Sequence, residues 1–402
     1  MGLLKIQFFV SYAVMGSMMP LLSVFFGHEK GFSKSNIGAI MAASGFSMII
    51  SPVLMTLLAD MRIESRRIVA TALAVSTVFI LGMHFSSGVW LVGACYVIYH
   101  LSYVSVPPLQ DGMYFRMEAE HDPASGPLAP YGSVRVWGTA GFIVPSAILW
   151  GVAAFLPAGK EAITGVMMYC AAAFAVVSAF HSLRLPPNPP RAQNASRLPS
   201  VAAAKVIFGP EGRWMCLPLI ITYLCAPAYH AFFPLYLKEV AGYSESVIGL
   251  IICIGVVLEI FVIFNLERLR KRFGLKRLMV FGVVCMALRF ACLAAFQNAW
   301  TPILVQLFHG PEIAALFVLP IMYINRLAGA EFRNSIQGVY AMLVLGSPRI
   351  VGSYLGGRLA EFSLPLLFAI AAVLVTIAAA VLALKFDPIR AEDLADRKER
   401  ED

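Results

Sequence analysis

The chain has 402 residues, 59% of them hydrophobic and only 13% charged, with a formal net charge of +8 and a mean hydropathy of +0.77. A soluble domain carries roughly 25% charged residues, so the solvent around most of this chain is lipid. The basic excess needs no nucleic-acid partner, because it is gathered into loops as a membrane protein gathers it.

A spanning helix needs about 20 apolar residues. The sequence predicts twelve: 4–26, 36–58, 68–86, 89–113, 132–156, 162–183, 214–237, 246–266, 276–296, 301–325, 335–357 and 363–385. The first stretch is too long and too polar-flanked for a cleaved signal, and no small-residue cleavage site follows it, so it is expected to remain as helix 1. With a cytoplasmic N-terminus, 23 Lys/Arg fall on the cytoplasmic side and five on the other, namely Lys30, Lys34, Lys160, Lys238 and Arg358. This bias predicts both termini inside, in a bacterial-type inner membrane. Basic loops 62–67 and 268–277 are read as topology anchors or as gates. In the gating reading Asp60, with Arg62, Arg66 and Arg67, clasps a neighbouring helix from the cytoplasmic side.

Segment 184–213, with Pro186, Pro187, Pro189 and Pro190 and five basic residues, reads as a linker between two hydrophobic blocks. The expected organisation is a six-helix bundle over 1–183, the linker, a second bundle over 214–386 and a charged tail over 387–402. The blocks repeat one another. Gly31-Phe32-Ser33-Lys34-Ser35-Asn36-Ile37-Gly38 returns 211 residues later as Gly242-Tyr243-Ser244-Glu245-Ser246-Val247-Ile248-Gly249, identical at five of eight positions. Pro20-Leu21 and Pro234-Leu235 precede the two copies. Such a parallel repeat is the arrangement of major-facilitator transporters. Ser33 and Ser244 are candidate helix N-caps. The seven cysteines follow no metal or redox spacing and read as buried apolar side chains. Asn194-Ala195-Ser196 fits a glycosylation acceptor but falls in a cytoplasmic loop, where it is silent.

The remaining three arginines, Arg135, Arg289 and Arg349, lie inside spans, as do Asp111, Glu259, His309 and Glu312. A charge at bilayer depth costs at least ~2.5–3.5 kcal/mol, so such groups pair or line a hydrated path. His309 and Glu312 share one face of span 10 about one turn apart, with Gln306 one turn back. A buried carboxyl prefers to be neutral and a nearby guanidinium opposes that. Glu312 with Arg289 could therefore take up and release a proton, with His309 setting the geometry; a structural ion pair is the alternative. Asp111, after Pro107-Pro108 at the cytoplasmic end of span 4, and Arg135 in span 5 could hold a polar solute, with Phe142 stacking two turns on. The alternative is a pairing of helices 4 and 5. Glu259 reads as a proton relay or structural partner, Arg349 as a packing counter-ion, and His84, His100, His181 and His230 as core or interface residues.

Two segments carry a family resemblance. Tyr131-Gly132-Ser133-Val134-Arg135-Val136-Trp137-Gly138-Thr139-Ala140-Gly141-Phe142 resembles the span-5 signature of the lactose-permease and phenylpropionate-permease-like proton symporters. Gln306-Leu307-Phe308-His309-Gly310-Pro311-Glu312 resembles their span-10 motif. The 20 residues from Arg289 to His309 also fit. The resemblance implies an all-α major-facilitator fold of twelve helices. Arg289, His309 and Glu312 would be the proton-coupling set, joined by Glu259. Asp111, Arg135, Phe142 and Gln306 would be the solute-binding set. Phenylalanine at 142 replaces the permease's tryptophan, span 7 lacks its acid, Glu259 sits one turn nearer the following basic loop, and the loop before span 5 is longer.

The expected protein is a monomeric proton-coupled importer of a small polar or amphipathic organic solute, needing protons and a bilayer but no cofactor, metal or nucleic acid. Alternatives are an exporter of the same fold or a membrane-embedded solute sensor. An enzyme would need a nucleophile–base or metal constellation, and no such spacing is present in the sequence.

Overall fold

The computed structural model describes all residues except 62, 122–127, 156–162, 188–200, 211, 328–335 and 389–402; the side chains of 52–61, 201–203, 325 and 326 are likewise outside the description. The described residues hold helices and connecting turns and no strand. The long helices are α1 (Gly2–Glu29), α2 (Lys34–Met61), α3 (Ser65–Phe85), α4 (Val89–Ala119), α5 (Tyr131–Ala153) and α6 (Ile163–Ser182). After a short helix at Val201–Ile207 come α7 (Arg213–Glu239), α8 (Glu245–Phe273), α9 (Leu275–Ala295), α10 (Thr301–Ile324), α11 (residues 336–362) and α12 (Leu364–Lys385). Ten of them are individually long and apolar enough to cross a bilayer.

The chain divides into two compact units, Met1–Ala195 with Tyr243–Cys253, and Ser196–Gly242 with Ile254–Asp402. In the first, α1 packs on α5 and α6, α3 on α4 and α6, and α2 on α4. Side chains alone do not account for the α1–α5 approach. A Cβ at Gly16 would lie 2.2 Å from the carbonyl oxygen of Phe142, and one at Gly141 would lie 2.1 Å from that of Phe9. Two glycines thus bring backbone against backbone, the contact that substitutes for the hydrophobic effect when lipid is as apolar as leucine. Buried polar groups tie α1 to α6 as well. Gln7 donates to Ser178 Oγ at 3.0 Å, and its Oε1 lies 2.7 Å from His181 Nδ1. In the second unit α9 packs on α12 and α10, and α7 packs on α11 and α12.

Both copies of the sequence repeat turn the chain alike. Gly31 and Gly242 have φ of +69° and +75°, where a side chain would be strained. Ser33 Oγ accepts from the Asn36 amide at 3.2 Å, capping α2 as expected. Ser244 instead has its Oγ 3.1 Å from Ser246 Oγ.

Two boundaries and the pitch of one span differ from expectation. Segment 268–273 is helical rather than loop, so Arg268, Arg270, Lys271 and Arg272 form the last turns of α8. Cations are favoured there by the partial negative charge of a helix C-terminus. Span 4 runs on to Ala119 and breaks at Val104-Ser105, with Pro107 and Pro108 opening its second segment. Asp111 is therefore about two turns inside the helix and not at its end. Span 10 changes pitch twice. A 3₁₀ turn at Val305–Phe308 precedes a π turn at Ala314–Val318, around Pro311, which has no N–H to give the ladder.

Gly141→Val is expected to lower the melting temperature of the purified protein, since forcing methyl groups into a closed contact costs about 1–3 kcal/mol. Gly132→Ala, where a Cβ meets nothing within 4 Å, should leave it unchanged. Equal melting of the two variants would show that the α1–α5 approach does not depend on glycine.

Candidate functional site

Among the described residues, the expected site residues gather into one cluster in each unit. In the second, α7, α8, α9 and α10 contribute Tyr229, Glu259, Arg289 and the trio Gln306, His309 and Glu312. Glycines let α10 come close: a Cβ at Gly282 of α9 would lie 2.3 Å from Pro311 O, and one at Gly310 would lie 3.1 Å from Glu259 Cα.

Arg289 is fully buried. Its Nη1 lies 2.8 Å from Glu312 Oε2, and Glu312 is 1% exposed. Yet neither Glu312 oxygen receives a hydrogen bond, so the attraction is ionic and the N–H is aimed elsewhere. It is aimed at His309 Nδ1, 3.3 Å away, while Nε donates to Val305 O at 3.3 Å. A guanidinium only donates, so Nδ1 must accept and the histidine proton sits on Nε2. That nitrogen lies 3.4 Å from Glu259 Oε2. His309 thus stands between Arg289 and Glu259 and connects them.

The guanidinium also lies over the Tyr229 ring, 4.2 Å from its centroid, and Tyr229 donates to Gln306 Oε1 at 3.1 Å. Arg289 Nη2, Gln306 Nε2 and both Glu312 oxygens are buried without hydrogen-bond partners. Unmet polar groups of this kind are costly where no water reaches them. Taking one charge out of water costs several kcal/mol even after relaxation, so each member of the pair depends on the other.

In the first unit α1, α4 and α5 contribute Tyr12, Asp111, Tyr131 and Arg135. Tyr131 and Arg135 are one turn apart on α5 and both face Asp111. Tyr131 donates to Asp111 Oδ1 at 2.8 Å, and Arg135 Nε lies 3.9 Å from the same oxygen. The Arg135 guanidinium covers the Tyr12 ring, 4.3 Å from its centroid, and reaches Phe8 at 5.7 Å. Gly138 makes room for it, because a Cβ there would lie 2.8 Å from Arg135 Nη1. Unlike Arg289 and Glu312, Arg135 and Asp111 keep about a third of their side-chain surface exposed. One residue from Asp111, the Gln110 Nε2 is buried and unpartnered, while its Oε1 accepts from Ser11 Oγ at 3.0 Å.

The structure brings Arg289, His309, Glu312 and Glu259 together in one cluster, and Asp111 with Arg135 in another. Gln306, expected with the solute-binding residues, stands in the Arg289 cluster. Phe142 is buried, with its backbone against Gly16 on α1. Arg349 lies within electrostatic reach of Tyr223 and His230. Asp60's side chain and Arg62 lie outside the described residues. Arg66 pairs with Glu64 at 2.7 Å, and its Nη1 donates to Leu185 O at 3.0 Å and Leu183 O at 3.4 Å, just past α6. Its hydrogen bond, ahead of the charge attraction, holds the Glu64 carboxyl below the usual range. The aromatic partners Tyr229, Tyr12 and Tyr131 are not among the expected site residues. Tyr131 opens the span-5 motif, but nothing in the sequence marks a tyrosine that covers an arginine on another helix.

Residues 2–370 match the MFS_1 like family, and the chain belongs to that family. It is 22% identical to the nucleoside permease NupG of Escherichia coli (strain K12) over 382 residues, covering 89% of this chain and 87% of that one. It is likewise 22% identical over 363 residues to the "Probable 3-phenylpropionic acid transporter" of the same organism, covering 89% and 91%. The crystal structure of nucleoside transporter NupG superimposes with a TM-score of 0.80 at 19% identity, covering 96% of this chain and 99% of that one. The fold is the major-facilitator fold of a multi-pass membrane protein, with twelve helices in two pseudo-symmetric bundles.

Arg289→Gln is expected to destabilise the protein sharply, since stranding one charge of a buried pair costs about 3–5 kcal/mol. The double variant Arg289→Gln/Glu312→Gln should recover most of the loss in a thermal melt. If single and double variants melt alike, the two side chains are not energetically coupled.

Proposed function

We propose that the chain is a proton-coupled importer of a small polar or amphipathic organic solute, working by alternating access. The observation that carries the reading is the Arg289–Glu312 pair: a carboxylate held at 2.8 Å by one charge, with Oε1 accepting no hydrogen bond. A proton arriving on Glu312 removes the anion and with it the Coulomb attraction, so Arg289 must be neutralised another way. His309 offers that way, because it already links the guanidinium to Glu259. Protonation thereby changes which acid Arg289 depends on, and a shift of partner is what a transporter needs if it is to couple a proton to a change of state. Glu312 is the carrier in this reading, with Arg289, His309 and Glu259 as its coupling set.

Asp111 and Arg135 serve as the solute pair. They are less buried than the Arg289 pair and are flanked by Tyr12, Phe8 and Tyr131, so the cluster offers a charge, two hydrogen-bonding ends and aromatic faces. Nucleosides and phenylpropionic acid, the solutes in the names of the two relatives, both combine a flat ring with polar groups. The cluster's chemistry supports solutes of that kind. Phe142 contributes a further contact in this proposal, Gln306 belongs with the Arg289 cluster through Tyr229, and Asp60, Arg66 and Arg67 act at the cytoplasmic gate. The protein sits as a monomer in the inner membrane with both termini cytoplasmic, as the basic-residue bias supports. A potential of about 100 mV supplies ~2.3 kcal/mol per proton, and one pH unit adds ~1.4 kcal/mol. Together these sustain a few hundred-fold accumulation.

Glu312→Gln is expected to abolish uphill uptake into energised right-side-out vesicles while solute exchange continues; uphill uptake that survives removes Glu312 as the carrier. Arg135→Ala, with expression preserved, should lose solute binding in a thermal-shift screen of nucleosides, sugars and aromatic acids that first identifies the ligand. Binding at wild-type affinity would move the solute site elsewhere. Proton-driven accumulation in everted vesicles but not in right-side-out ones would mean export.

A further inference from the structure

A groove of about 530 Å³ runs along the outside of the first unit between α3 and α6, and none of its lining residues belongs to the Asp111–Arg135 cluster. Its walls include Arg67, Ala70, Ala74 and Thr77 on α3, with Ala179 and Phe180 on α6. Small side chains on the two facing helices hollow it out, and Phe180, 70% exposed, stands as its outer flank. The lining is almost wholly apolar, with one cation at one end. From Arg67 to Thr77 is ten residues of helix, or about 15 Å. That is about half of a ~30 Å hydrocarbon core, the depth of a single leaflet.

The charged end has a definite balance. Glu64 pairs with Arg66 at 2.7 Å and with Arg67 at 3.3 Å. One carboxylate thus serves two guanidiniums and a net positive charge remains. Arg66 is turned to the carbonyls of Leu183 and Leu185 at the end of α6, closing the groove at that level. Arg67, its side chain 65% exposed, is left pointing outward at the groove mouth. This is the side to which the basic loops assign the cytoplasm, where anionic headgroups draw in basic residues.

We propose that this groove is a binding site for one anionic phospholipid of the cytoplasmic leaflet. An acyl chain lies along Ala70, Ala74 and Ala179, and the phosphate meets Arg67. Lipid is the solvent on this face, so some chain always covers it; the inference is that the headgroup is selected by charge and the chain by the shape of the groove.

The test is native mass spectrometry of the full chain released from nanodiscs containing equal amounts of phosphatidylglycerol and phosphatidylcholine with identical acyl chains. The wild-type protein should retain one phosphatidylglycerol in preference to phosphatidylcholine. Arg67→Gln should weaken that preference about fivefold, the effect of one basic residue at an anionic surface. Ala74→Phe, which fills the groove while leaving Arg67 in place, should lose the retained lipid altogether. Arg270→Gln, a basic residue at the end of α8 in the other unit, is the control and should behave as wild type. Arg67 and Ala74 lie on exposed surface and Arg270 is partly exposed, paired within its own helix to Glu267, so the three changes should leave the melting temperature intact. Equal retention of the two lipids by the wild type, or phosphatidylglycerol retention unchanged in Ala74→Phe, would overturn the proposal.

Discussion

A guanidinium at bilayer depth has no water to turn to, and this constraint organises the second unit. Arg289 is fully enclosed, so every group around it is there to neutralise it, accept from it or cover it. Glu312 supplies the charge, Val305 O and His309 Nδ1 accept its protons, and Tyr229 covers its face. None of these could be removed without leaving a charge or a donor stranded in a medium that cannot solvate it. The geometry of α10 follows from the same demand. Its pitch tightens before His309 and loosens after Glu312, and both side chains are thereby presented to one arginine.

The first unit meets a milder form of the constraint. Arg135 and Asp111 remain partly exposed, their separation is 3.9 Å, and the hydrogen bond to Asp111 comes from Tyr131. A loosely paired cation beside aromatic rings can exchange its partner for a ligand at low cost, whereas a fully enclosed pair cannot. One cluster holds its charges in a closed environment and the other leaves about a third of each charged side chain accessible. The proposed assignment of proton and solute to the two clusters rests on that difference in burial.

Packing in both units relies on glycine where a soluble protein would use leucine. Gly16 and Gly141 set the α1–α5 contact, and Gly282 and Gly310 let α10 reach its neighbours. In lipid the hydrophobic effect does not distinguish helix from solvent, so close backbone contact and satisfied polar groups must hold the bundle. Gln7 and Ser178 are buried, and His181 partly so, for the same reason, as a polar bond between α1 and α6 that has no competitor in hydrocarbon.

Composition, the spacing of apolar runs and the basic residues between them were enough to determine that this is a helical membrane protein of twelve spans, because a bilayer imposes a length and an interior chemistry that one dimension records. The repeat at Gly31 and Gly242 was readable too, since a positive φ needs glycine wherever it occurs. His309 and Glu312 could be put on one face because a helix has a fixed period. What sequence could not supply was the partner of each charge. That Glu259 meets His309, that Gln306 joins Tyr229 and that Tyr12 lies under Arg135 depend on which helices touch and at what rotation. Those choices are made by side-chain volume and glycine contacts between residues up to about a hundred or more positions apart, and only the folded chain expresses them.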